Sequence, residues 1–102
     1  MKKYNKLVRD KIPEIIEADG KTCTYEIVTG EEKYKLLEEK LQEEVNEFLE
    51  DKNLEELADI MEVVFALANE LGHSEDELIL KRSSKACTKG DFKVGLYLKE
   101  IY

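Results

Sequence analysis

Glu44 with Glu47, and Glu56 with Asp59, form two acid pairs, each spaced i, i+3, in a chain of 102 residues. Side chains three apart share one face of a helix, so each pair can converge on a single point. If the two helices fold back antiparallel about Asp51 to Asn53, Glu47 and Glu56 flank the turn. Glu44 and Asp59 then meet roughly one helical turn further up, at about 1.5 Å of rise per residue. Four carboxylates facing one another across a helical hairpin make a cage for a hard divalent cation. Mg²⁺ favours oxygen ligands and keeps open positions for water and phosphate, which points to phosphate chemistry.

Two ordinary roles compete for the same acids. Asn53-Leu54-Glu55-Glu56 has the form of a capping box, in which Glu56 reaches back to the Asn53 backbone. Acids in a first turn also complement the helix dipole. Glu43, Glu44, Glu47 and Glu50 read as well as a solvated face with Lys40 and Lys52. Neither role explains why Glu44 borders Leu41 and Phe48, or why Glu56 lies in line with Ile60, Val63 and Leu67. A carboxylate near apolar surroundings needs a partner, because an isolated buried charge costs several kcal/mol. Leu54 to Leu71 contains no basic residue, so within the hairpin a cation is the natural partner. Bases from the first or fourth helix are the alternative.

The elements that must position these acids are legible from periodicity and punctuation. Residues 7–19 read as a first helix, with Asp10 as a cap candidate, Pro13 in the first turn and Gly20 as a stop. Tyr25, Ile27 and Val28 mark a short strand or extended passage before Gly30. Thr29 is placed to cap a second helix from about Glu31 to Lys52, whose Tyr34, Leu37, Leu41, Val45 and Phe48 share one arc. The third helix, Leu54 to Leu71, is apolar over more than half its circumference, as befits a central helix or a subunit interface. Ser74 and Glu77 spell a capping box for a fourth helix reaching about Cys87. Beyond a turn at Lys89-Gly90-Asp91, Phe92, Val94, Leu96 and Leu98 alternate like a strand. The expected fold is one domain over 1–102: a mainly α, four-helix bundle with short extended or β segments near residues 24–28 and 92–101.

Lys plus Arg total 16 and Asp plus Glu total 24, a net charge of −8. Such a chain is a poor general binder of nucleic-acid polymers, whose footprint is basic. The bases cluster at the flanks, as Lys2, Lys3, Lys6, Arg9 and Lys11, and as Lys81, Arg82, Lys85 and Lys89. Basic flanks around an acidic centre suit a metal with a polyphosphate ligand. A chain this small buries only about 60–70% of its unfolded surface, which makes partner subunits a source of extra core. Cys23 and Cys87 lack CxxC spacing, and neither a signal core nor a membrane-length apolar run is visible, so reduced thiols, no membrane and a cytoplasmic address are expected. Zinc is a poor fit to one histidine and two distant cysteines. His73 reads as a cap-region residue.

Glu43-Glu44-x-x-Glu47 followed by Glu56-x-x-Asp59 resembles the EExxE…ExxD signature of the MazG-like all-α nucleotide pyrophosphohydrolases. Lys6 to Ile16, KLVRDKIPEII, is similar to the opening of a small subgroup labelled phosphoribosyl-ATP pyrophosphohydrolase-like, and the resemblance covers nearly the whole chain. Two departures stand out. The spacer Phe48 to Glu55 is shorter than in many MazG proteins, and Gly90-Asp91-Phe92 lacks the second glycine usual in relatives.

The resemblance implies Glu44, Glu47, Glu56 and Asp59 as Mg²⁺ ligands, with Mn²⁺ a possible substitute, and Glu43 as a supporting acid. It implies hydrolysis of a nucleoside triphosphate or related nucleotide between the α and β phosphates. Glu47 or Glu43 is then the candidate to accept the proton of the attacking water. Arg9, Lys81, Arg82 and Lys85 are the candidates for holding phosphate. A homodimer or homotetramer sanitising stray nucleotides is the favoured setting. Phosphoribosyl-ATP hydrolysis in histidine biosynthesis and a non-enzymatic helical interaction module are the alternatives.

Overall fold

Pro13 sets where the first helix can begin. Its ring and missing N–H fit only a helix's first turn, and in the computed structural model, which describes residues 3–102, α1 runs Ile12–Ala18. The helix is therefore shorter than the expected 7–19. Lys11, not Asp10, takes the cap position and makes no side-chain cap bond. Residues 3–9 form an irregular strap ahead of α1. Lys2, counted above in the basic flank, lies outside the described residues.

The central hairpin forms much as the sequence implies. α2 spans Gly30–Asp51, with Thr29 at its N-cap in extended backbone, although the threonine side chain makes no cap bond. Lys52 ends α2 in the left-handed region (φ 50°, ψ 52°) and donates its N–H to Phe48 O. Asn53 immediately caps α3, Leu54–Glu70, its side chain accepting the Glu56 N–H at 2.9 Å. With only two residues between them, α3 packs back along α2. Ser74 and Glu77 close a complete capping box on α4, Glu75–Lys89, and His73 Nδ1 lies 3.2 Å from Glu77 Oε2 at the same cap.

Among the described residues the chain is all helix and loop, with no strand. The segments near 24–28 and 92–101, expected as short extended or β, form no β pairing. A strand needs a neighbouring edge, and here Tyr25, Ile27, Val94, Leu96 and Leu98 all face solvent, with Phe92 fully exposed. The bundle itself is open: α4 meets α3 lightly, and α1 packs against no other helix. Among the described residues only Leu37, Val63 and Ala68 are buried apolar side chains. The radius of gyration is 17.8 Å, against about 13 Å for a close-packed chain of this length. No helix of the described residues is long and apolar enough to cross a membrane, and both cysteines are free.

Candidate metal centre

The two-residue turn brings the acids of α2 and α3 together. Carboxylate oxygens of Glu44, Glu56 and Asp59 lie within 4.8 Å of one another, and those of Glu43, Glu44 and Glu47 form a second such group. Glu44 belongs to both. Glu47 adjoins the first group too, near enough that its carboxyl acts on those of Glu44 and Glu56. All four expected ligands and the supporting Glu43 thus share one cluster.

Glu44 is the centre of it, only 6% exposed although it is charged. Its Oε1 sits 3.4 Å from Lys40 Nζ, while its Oε2 is buried without a hydrogen-bond partner. Burial, then the charges of Glu47 and Asp59, push the Glu44 carboxyl up from the ordinary range, with Lys40 pulling the other way. Glu56 Oε2 is likewise buried and unpartnered. Its carboxyl is also pushed up, first by desolvation and then by Asp59 and Asp51. The capping-box reading of Glu56 holds by half. Its N–H goes to Asn53, but its carboxylate does not return the bond and turns into the cluster instead.

The alternative source of countercharge is present as well, supplied by the strap and by α2. Arg9 Nη2 reaches Asp59 Oδ1 at 2.6 Å, and Lys6 Nζ reaches Glu43 Oε1 at 3.0 Å. Lys40 Nζ lies 3.5 Å from Glu43 Oε2. The hydrogen bond from Lys6 holds Glu43 below the usual carboxylate range and raises Lys6 in turn. These bases reach Glu43, Asp59 and one oxygen of Glu44, yet leave Glu44 Oε2 and Glu56 Oε2 with nothing. Two desolvated carboxylate oxygens without donors, on residues whose carboxylates cluster with that of Asp59, offer the oxygen ligands a hard cation prefers. The residues therefore fit Mg²⁺, with Mn²⁺ an acceptable substitute by the same oxygen chemistry.

A cleft of about 220 Å³ opens beside the cluster, lined by Val8, Arg9, Ile12, Lys40, Glu44 and Asp59. Of the four bases expected to hold phosphate, only Arg9 is brought to this cleft. Lys81, Arg82 and Lys85 lie exposed on α4 and form no ion pair among the described residues. Lys6 and Lys40 take their place around the acids. The i, i+3 and i, i+4 spacing of Lys40 to Glu43 and Glu44 was a readable signal for one of them. For Lys6, 37 residues from Glu43, no local pattern exists. No family model, curated protein or solved structure matches the chain, so the site must be read from its own geometry.

Proposed function

We propose that this chain is a Mg²⁺-dependent nucleotide pyrophosphohydrolase, cleaving a nucleoside triphosphate or related nucleotide into a monophosphate and pyrophosphate. The observation that carries the reading is the pair of orphaned oxygens, Glu44 Oε2 and Glu56 Oε2, on two residues whose carboxylates cluster with that of Asp59 across the α2–α3 turn. The EExxE…ExxD resemblance supplies the reaction class. Glu44, Glu56 and Asp59, with Glu47 adjoining, would hold the ion. Bound there, Mg²⁺ neutralises phosphate oxygens and acidifies a water.

The protein's own groups divide the remaining work. In the balance of the reaction, water oxygen bonds to the α phosphorus, the bridging P–O bond breaks, and pyrophosphate leaves with that oxygen. The water's proton needs an acceptor. Both oxygens of Glu43 carry lysine partners and its carboxyl is held low, so it makes the weaker base. Glu47, exposed at the edge of the cluster, takes that role in our reading. Arg9 stands at the cleft mouth, where a guanidinium offers bidentate contact to phosphate. Its ion pair with Asp59 is half-exposed, and such pairs are weak enough to exchange partners. Sanitation of the nucleotide pool is the favoured role, with phosphoribosyl-ATP the alternative substrate.

A self-associating protein is part of the proposal. The accessible surface is 9546 Å², whereas a folded monomer of 11.8 kDa exposes about 5,900 Å². That excess exceeds the roughly 800 Å² per partner of an ordinary stable interface. The same apolar surface favours a second reading, a non-enzymatic interaction module. The two separate cleanly. With Mg²⁺ and a panel of dNTPs, NTPs and phosphoribosyl-ATP, the enzyme releases pyrophosphate, and Glu44→Ala or Glu56→Ala abolishes it. Full-rate release by either variant would remove the site from consideration. Absence of calorimetric Mg²⁺ binding in a stable oligomer would favour the module.

A further inference from the structure

The countercharges around the cluster are distributed unevenly between its two halves. Glu43, Glu44 and Glu47 offer one triplet of oxygens, and Glu44, Glu56 and Asp59 the other, with Glu44 common to both. Such an arrangement has the outline of a two-ion site sharing a bridging carboxylate. The Glu43 half, however, is already populated. Lys6 takes Glu43 Oε1 at 3.0 Å, and Lys40 takes Glu43 Oε2 at 3.5 Å and Glu44 Oε1 at 3.4 Å. Lys40 is largely covered, its side chain 21% exposed, and it rises from the same helix as its partners. It is a fixed part of the floor.

The other half differs in kind. There the two oxygens without any donor, Glu44 Oε2 and Glu56 Oε2, are buried. Lys40 touches this half only at the shared Glu44, through Oε1, and Arg9 binds Asp59 Oδ1. The charges agree with this division. Five carboxylates (Glu43, Glu44, Glu47, Glu56, Asp59) against three bases (Lys6, Arg9, Lys40) leave 5 − 3 = 2 negative charges, the charge of one divalent ion.

Resting on the metal reading above, we infer that the centre binds a single divalent cation at Glu44, Glu56 and Asp59, and that the ammonium groups of Lys6 and Lys40 fill the Glu43 half where a second ion would otherwise sit. An ammonium is a compact point charge with three donors, so it can satisfy carboxylates without the open coordination positions of a metal. The lysines thereby fix the stoichiometry of the centre.

Mn²⁺ bound to the purified chain, counted by electron paramagnetic resonance of the free ion, tests this without reference to activity. The wild type binds one ion per chain. Lys6→Met/Lys40→Met binds two, and the charge-conserving Lys6→Arg/Lys40→Arg pair stays at one. Circular dichroism checks that each variant folds. If the double methionine variant does not fold, exposed Lys6→Met alone serves, with a second, weaker ion expected. Two ions on the wild type, or one on a folded methionine variant, would overturn the role given to the lysines while leaving the metal centre standing. No saturable Mn²⁺ binding to the wild type would remove the centre itself, and the lysine role with it.

Discussion

Glu44 is the residue on which stability and function pull apart. A covered carboxylate beside Glu47 and Asp59 is held above its ordinary ionisation range, so between its unfolded and folded values the native chain keeps a proton the unfolded chain loses. Stability of the metal-free protein is therefore highest below that window and falls as pH rises through it. Glu56 adds to the slope in the same direction, whereas Glu43 and Glu77, held low by their partners, act only below the ordinary glutamate range. Glu44→Gln should flatten the fall above the ordinary glutamate range. At neutral pH it should raise the metal-free Tm, by about 4–8 °C for each kcal/mol of repulsion and desolvation relieved. The proposed centre predicts that Mg²⁺ raises the wild-type Tm and that the same variant loses this increase, with wild-type Mg²⁺ affinity climbing with pH through the window as protons stop competing. Thermal scans with and without Mg²⁺ across this range check all three. An unchanged Mg²⁺ response in Glu44→Gln would show that the ion binds elsewhere.

At the scale of elements, the site is only as well placed as the Lys52-Asn53 turn. Asn53→Ala removes the cap bond to the Glu56 N–H, costing about 1 kcal/mol. Because that bond orients the first turn of α3, Mg²⁺ affinity should fall alongside the stability. Lys52→Gly relieves a left-handed backbone conformation and should gain about 1 kcal/mol with affinity unchanged. Urea unfolding and calorimetric titration separate the two outcomes. This hairpin was also the most legible part of the sequence, and the reason is locality. Apolar period, Asn53 cap and i, i+3 acids all act within a few residues of one another, so the pattern alone carries them. The start of α1 was less legible, since the stretch from Leu7 reads as helix until Pro13 is allowed to set the boundary. The strap's pairing with the acids was not legible at all: Arg9 and Asp59 are 50 residues apart, and long-range ion pairs leave no periodic trace. Alternation in Phe92 to Leu98 misled for a related reason. A strand is completed by a partner edge, and periodicity says nothing about whether one is near.

Across the whole molecule, the dominant fact is apolar surface without a cover. Leu54, Leu71 and Leu80 face solvent, as do the apolar residues of the tail from Phe92 to Tyr102, and Leu37, Val63 and Ala68 as the buried apolar residues among those described are a thin core for 102 residues. Sedimentation velocity should therefore find the full chain as a dimer or tetramer. A version ending at Asp91 should shift toward monomer and lose thermal stability. A monodisperse full-length monomer would contradict the self-association proposed here. The acids from Glu43 to Asp59 occupy one uninterrupted stretch of 17 positions, while α1, α4 and the tail lie outside it. Under the proposed function, the hairpin would carry the reaction and the flanks would be free to vary around it, so that a change of substrate need not disturb the acids.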